Sequence, residues 1–145
     1  MNDYEVYLQL VLAVFLGSLI GLERRLSRKI AGIRTFALVT LGSTIFSIIS
    51  RYVATDPSRI AAQVVVGIGF LGAGMIILDR QSGEERVRGL TTAAGLWVAS
   101  AIGVAIGFSF YDIAIAATVL SIVIFTVLWR FEERFLPVSA DRDKS

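Results

Sequence analysis

The stretch Thr91-Thr-Ala-Ala-Gly95-Leu-Trp-Val-Ala99-Ser-Ala-Ile-Gly103-Val-Ala-Ile-Gly107 decides the class of fold. It contains no Asp, Glu, Lys or Arg, and a helix built from it has almost no polar face, which a helix of a water-soluble protein needs. Four other stretches share this character: Val6–Leu22, Thr35–Ile49, Ile60–Leu78 and Ile113–Trp129. Each of the five is 15–19 residues long, slightly under the roughly 20 that cross a bilayer. Flanking Arg and Lys can snorkel, and flanking Tyr and Trp sit at the interfaces, so each stretch can borrow neighbours. The 145-residue chain is 55% hydrophobic with a mean hydropathy of +0.73, against the about 45–50% apolar of a soluble domain counted with Gly. The expected fold is an all-α integral membrane protein, a compact bundle of five transmembrane helices. Residues 1–136 form the transmembrane domain, and 137–145 a short, disordered cytoplasmic tail.

Orientation follows from the basic residues. Five lie between the first two apolar stretches (Arg24, Arg25, Arg28, Lys29, Arg34), three between the third and fourth, and four after the fifth. These twelve share one side of a five-helix bundle, and only Arg51 and Arg59 lie on the other. The positive-inside rule therefore places the N-terminus outside and the C-terminus in the cytoplasm. Because the basic residues flank apolar runs, the basic balance points to a membrane surface and not to nucleic acid. The first stretch is expected to be retained: its flank Met1-Asn-Asp-Tyr-Glu is acidic, and Gly21-Leu-Glu-Arg is not a cleavage site. In the loops, Asp56-Pro57 predicts a helix start, Gln81-Ser-Gly-Glu a polar turn, and Thr91 or Thr92 a cap for the fourth helix.

The residues that could carry function fall into three sets. Small residues recur at four-residue spacing: Ala13, Gly17 and Gly21 on the first helix, and Gly95, Ala99, Gly103 and Gly107 on the fourth. The third helix carries Gly67, Gly69, Gly72, Ala73 and Gly74. Such ridges let backbones approach closely in lipid, within one bundle or between copies, so a homo-oligomer is expected. Gly67-Ile-Gly69-Phe-Leu-Gly72 matches a dinucleotide fingerprint only in spelling, because no strand precedes it and it lies inside an apolar run. A second set is polar and intramembrane: Thr40, Ser43, Thr44, Ser47 and Ser50 line one face of the second helix, and Gln63 lies one turn into the third. The stripe reads first as helix packing and second as a polar path for an ion or solute, with Gln63 expected to reach across to it. The third set is the charged rim, Glu23, Arg24, Arg34, Asp79, Arg80 and Arg88, in which Glu23 is expected to pair with Arg34 or Arg88. The rim serves as an anchor or as a surface for a partner or anionic headgroups.

Absences narrow the chemistry. The chain has no Cys and no His, which removes thiolate sites, the commonest general base and the commonest metal ligand. No P-loop is present, and no carboxylate lies in the middle of an apolar stretch, where cation pathways usually place one. No catalytic group, cofactor or metal site is expected.

The runs Gly21-Leu-Glu-Arg24, Ala31-Gly-Ile-Arg-Thr35, Arg59 through Gly74, Val87-Arg-Gly-Leu-Thr-Thr-Ala-Ala94 and Leu96-Trp-Val-Ala-Ser-Ala-Ile-Gly103 resemble the MgtC/SapB family of bacterial inner-membrane proteins. The resemblance covers about residues 6–130. It implies a five-helix hydrophobic domain and a link to growth at low magnesium and, in pathogens, to survival inside macrophages. It also implies, for some members, binding and restraint of the proton-translocating ATP synthase. The matching positions are Glu23, Arg24, Arg34, Thr35, Gln63, Gly67, Gly69, Gly72, Gly74, Arg88, Thr91, Thr92 and Trp97, with Trp97 and the glycines expected in helix packing. Two departures stand out. Phe36 follows the Arg-Thr pair where many relatives carry His, and the chain is expected to lack the soluble C-terminal domain of many relatives, which bears on any role tied to it.

The resulting expectation is a non-enzymatic inner-membrane regulator that binds another membrane protein; the alternative is an ion or small-solute transporter or channel component. The orientation has a direct check. Alkaline phosphatase fused after Ser145 should be inactive in cells and green fluorescent protein there should fluoresce; the opposite pair of results would invert the topology.

Overall fold

The computed structural model describes residues 3–53, 56–79 and 86–135. Its elements, in chain order, are α1 (Asp3–Leu26), α2 (Ile33–Val53), α3 (Ser58–Gly74), β1 (Ile77–Asp79), β2 (Arg86–Arg88), α4 (Leu90–Gly107), α5 (Tyr111–Val123), a π-helical turn (Ile124–Leu128) and α6 (Trp129–Phe135). The last three run on as one helix, so the chain forms the expected all-helical bundle of five. Four of the five helices are long and apolar enough to cross a membrane. The outer faces of the bundle carry Leu, Ile, Val and Phe, with Val11, Leu38, Phe70 and Leu120 all exposed, as lipid-facing surfaces require.

The glycine ridges of α1 and α4 hold the bundle together. A methyl group added to Gly17 would come within 2.8 Å of the Phe36 carbonyl, and one on Gly21 within 2.5 Å of the Ile33 Cα. Position numbers rise along α1 as they fall along α2, so the two helices run antiparallel. On the other flank of α2, Gly103 lies against Thr40 and Ser43, and Gly107 against Thr44 and Ser47. Here the numbers rise together, so α2 and α4 run parallel. α2 is thus held between α1 and α4 and also touches α3, while α4 touches all four other helices. The hydroxyl stripe of α2 is the counter-surface of α4's glycine ridge. Thr44 Oγ1 donates to the Gly103 carbonyl at 2.9 Å, and Ser43 and Ser100 Oγ lie 3.0 Å apart. Thr40 and Ser47 donate to carbonyls one turn back on their own helix, a local bond open to hydroxyl side chains in a helix.

The third helix differs from the reading of Ile60–Leu78 as one run. α3 stops at Gly74 after 17 residues, about 25 Å at 1.5 Å per residue and at the short end of what spans a bilayer. Residues 77–79 and 86–88 instead pair antiparallel, with Ile77 opposite Arg88 and Asp79 opposite Arg86. Gly72-Ala-Gly weakens the helix while the β-branched Ile76-Ile77 favours extended backbone. Gly89 connects β2 to α4 at φ +94°, and a side chain there would collide with the Met75 carbonyl. That glycine also sets the start of α4: the helix opens at Leu90 behind Gly89, with no side-chain cap, so neither Thr91 nor Thr92 caps it. The Gln81–Glu84 turn, Arg80 and the tail 137–145 lie outside the described residues.

Two helix ends are closed without glycine. At the end of α1, Lys29 N–H reaches the Arg24 carbonyl and Arg28 N–H the Arg25 carbonyl, with Arg28 at φ +54°. At the end of α4, Phe110 N–H reaches Ala105 and Ser109 N–H reaches Ile106, with Ser109 at φ +65°. Both are Schellman motifs, whose left-handed position is usually glycine. The start of α3 is as expected: Asp56 Oδ1 accepts from Ser58 N–H at 3.0 Å and Ser58 Oγ at 2.6 Å, and Pro57 is already helical. The Ser58 hydroxyl, and then its backbone N–H, hold the Asp56 carboxyl below the usual carboxylate range.

Overfilling the α2–α4 contact should be costly. Gly103→Leu is expected to lose about 1–3 kcal/mol or more and to lower the melting temperature in mild detergent. Gly69→Ala, with nothing within 4 Å of the added methyl, should leave it unchanged or raise it. Equal melting of both variants would contradict this packing.

Candidate functional site

Family-motif residues gather where α1 ends beside the π-helical turn. Glu23 and Arg24, adjacent in sequence, form a bidentate ion pair. Arg24 Nε donates to Glu23 Oε2 at 2.6 Å and Nη2 to Oε1 at 3.0 Å, while Ser27 Oγ donates to Oε1 at 2.7 Å. Arg24 is only 2% exposed and Glu23 only 9%. The guanidinium carbon lies 3.9 Å from the centroid of the Phe125 ring. Phe125 itself belongs to the π-helical turn and is the buried residue in it. Such turns are rare and often mark functional positions; this one places an aromatic face over a desolvated cation. Gly95 completes the cluster, because a methyl there would meet the Phe125 ring at 2.8 Å and the Phe36 ring at 3.3 Å.

Other rim residues point outward. Arg34, Thr35, Arg88 and Thr91 are exposed, whereas Thr92 is buried. Glu23 therefore pairs with neither Arg34 nor Arg88. Two long side chains on one turn can close on each other, whereas Arg34 begins the next helix with its side chain outside the bundle. Trp97 is 53% exposed, on the face of α4 away from the core, so it does not serve packing within the chain. Asp79 lies in β1, not at a helix end.

The opposite end of the bundle holds a polar network that the sequence reading overlooked. Gln9 lies within the first apolar stretch and is fully buried. Its Nε2 has three acceptors within reach: the Ile106 carbonyl at 3.0 Å, Ser109 Oγ at 3.0 Å and Tyr111 Oη at 3.1 Å. Arg51 Nη1 donates to the same Ser109 hydroxyl at 2.7 Å. This accounts for a serine in the left-handed position at the end of α4. Glycine would fit the backbone better, but it would lack the oxygen that α1 and α2 both bind. The sequence signal was available, since a buried amide in lipid needs partners.

Between the two ends, at mid-height, a groove of about 460 Å³ opens among α2, α3 and α4. Leu38, Phe46, Val64 and Leu71 form its walls, the Ser43–Ser100 pair its floor, and Gln63 and Gly67 its rim. Gln63 is exposed and makes no hydrogen bond among the described residues, so it does not reach the hydroxyl stripe. The glycines of α3 also stand apart. Gly67, Gly69 and Gly74 have nothing within 4 Å of an added methyl, and Gly72 only Ala93 at 3.7 Å. They do not serve close packing within this chain.

Comparison with known proteins supplies the context for these clusters. The model of the MgtC family matches residues 10–134. The chain belongs to the MgtC family. Among curated proteins, this MgtC-family chain is 44% identical over 147 residues to the MgtC protein of Salmonella typhimurium, covering 99% of this chain and 62% of that protein. It is 40% identical over 142 residues to YhiD of Escherichia coli, covering 91% of this chain and 64% of YhiD. An uncharacterized Haemophilus influenzae protein is 41% identical over 129 residues, covering 81% of this chain and 53% of that protein. The chain thus spans less than two thirds of the length of these relatives. No solved structure matches it. The family and the apolar helices together make it a multi-pass inner-membrane protein.

The buried ion pair should behave as a unit. Glu23→Gln leaves Arg24 without its counter-ion and is expected to destabilise by about 3–5 kcal/mol. Adding Arg24→Met should recover a large part of that loss. Unfolding in mixed micelles, followed by Trp97 and Trp129 fluorescence, checks this; a double variant no better than Glu23→Gln would contradict the coupling.

Proposed function

We propose that this MgtC-family chain is a non-enzymatic regulator that contributes to magnesium homeostasis by binding another membrane protein and does not itself carry the ion. The observation that carries this reading is the sealing of the hydroxyl stripe. Thr40, Thr44 and Ser47 are buried and use their hydroxyls within the bundle, and Ser43, which lines the groove, is 5% exposed and bonded to Ser100. A polar path through the chain would need those groups turned to water. Among the described residues, no group of three His, Cys, Asp or Glu side chains is placed to hold a cation, and hydrated Mg²⁺ is usually held through carboxylates.

What remains available is surface. Arg25, Arg28, Lys29, Arg34 and Arg88 are exposed around the end where α1 finishes and α2 and α4 begin. On the positive-inside reading this end faces the cytoplasm. A basic rim of this kind suits an acidic cytoplasmic loop of a partner or anionic headgroups. The family resemblance nominates the ATP synthase as such a partner.

One observation favours the rival. The name of the Escherichia coli relative YhiD proposes magnesium transport. Two measurements separate the readings. Affinity purification in mild detergent should retain a membrane protein at near-stoichiometric yield, lost with Arg34→Gln plus Arg88→Gln. Proteoliposomes of the chain should show no Mg²⁺ flux above empty vesicles. Recovery of the chain alone, or a flux that scales with protein, would overturn the proposal.

A further inference from the structure

We infer that two copies of this chain associate along α3, each placing its Gln63 amide at the mid-membrane groove of the other. This goes beyond the regulatory reading, since a dimer can form whether or not a second protein is bound.

The inference starts from unmet hydrogen bonding. Ser43 is 5% exposed and Ser100 only 1%, and both line the groove. Their hydroxyls bond each other at 3.0 Å. One shared contact uses one of the pair's two hydrogens, and neither serine makes a second hydrogen bond among the described residues. The floor therefore holds a hydroxyl hydrogen with no acceptor among the described residues, inside a cleft whose other lining is apolar apart from Gln63. On the rim, Gln63 has two donors and a carbonyl with no partner among the described residues. In hydrocarbon each unmet group costs free energy comparable to several weak packing contacts.

Depth selects the occupant. Ser43 is the middle residue of α2, which runs Ile33–Val53. At that level a phospholipid offers only acyl chain, so its ester and headgroup oxygens are out of reach. The occupant must bring an acceptor and a donor to the middle of the bilayer, and a primary amide brings both. A second copy carries one at the required height. Two chains inserted in the same direction and related by a two-fold axis along the membrane normal have every residue at equal depth.

The face of α3 permits the approach. Gln63, Gly67, Phe70 and Gly74 follow i, i+4, i+7, i+11 spacing, so they form one stripe along the helix. All four are exposed, Phe70 by 82%. Gly67 and Gly74 have open space where every glycine of α1 and α4 meets a neighbour. Two such stripes can close to backbone contact, with the amides at one level and the Phe70 rings packed below them. A polar residue within an apolar seam also fixes register, as a buried Asn does in coiled coils.

The absence of cysteine from the chain makes a direct test possible. In native membranes, Gly67→Cys and Gly74→Cys should each give a disulfide-linked dimer with copper phenanthroline. Val119→Cys, exposed on α5, should give at least tenfold less. Measured by energy transfer between labelled copies in liposomes, Gln63→Leu should weaken association about tenfold, the loss of roughly 1.4 kcal/mol expected for an interhelical hydrogen bond at the strong end. Absence of cross-linking at both glycines, equal cross-linking at Val119, or unchanged association of Gln63→Leu would each overturn the inference. So would a cross-linked adduct to a different protein, or a monomer purified with a hydrophobic small molecule in the groove.

Discussion

Everything in this bundle depends on how closely α2 is approached from both sides. Between helices surrounded by lipid there is no hydrophobic drive, since acyl chains are as apolar as leucine. Association rests on van der Waals contact and on hydrogen bonds that hydrocarbon cannot supply. α2 meets both needs at once. Thr40 illustrates it: its hydroxyl faces Gly17 of α1 and its carbonyl faces Gly103 of α4. A side chain at either glycine would push α1 or α4 outward and leave the stripe's hydroxyls facing lipid. The two sequence patterns that define this chain, hydroxyls on α2 and glycines on its neighbours, are thus two sides of one contact.

The two polar ends build on that scaffold and fix what packing alone leaves free. Smooth glycine ridges permit sliding and rotation. At one end, the Glu23–Arg24 pair is closed over by Phe125, which ties α1 to the last helix. At the other, Ser109 joins Gln9 of α1 to Arg51 of α2. A register shift would take Ser109 away from Gln9 and Arg51, and the Phe125 ring away from Arg24, which makes register specific. The π-helical turn and the left-handed serine are local irregularities accepted to place Phe125 and Ser109 where those groups need them.

Much of this was legible in the sequence, and the failures share a physical origin. Charge-free runs fixed the helices, and four-residue spacing of small residues correctly marked α1 and α4 as close-packed. Spacing says which residues share a face but not where that face points. Gln63 and Trp97 therefore turned out exposed, and the glycines of α3 face open space rather than a neighbour. Ion-pair partners were misjudged because loop geometry decides which rim side chains turn inward, and Arg34 turns out. The hairpin between α3 and α4 was hidden inside an apolar run, because periodicity cannot separate a short strand from the end of a helix. The Schellman ends at Arg28 and Ser109 lacked the glycine that usually announces them.

α3 is the exception that gives these failures a direction. Its Gly67, Gly69 and Gly74 have open space around them, its amide has no partner among the described residues, and it is the shortest of the five helices. A helix whose small residues served only internal packing would resemble α1 or α4, with each glycine close against a neighbouring element. The hydroxyls of α2 are bonded within the bundle, whereas α3 enters the core through Ile68. Gln63 carries its unmet bonding capacity on an outward face, next to a groove of ligand-pocket size, while the buried polar atom without a partner among the described residues is Gln9 Oε1, near the start of α1. In a solvent that punishes exposed amides, such a face favours a partner that brings polar groups of its own.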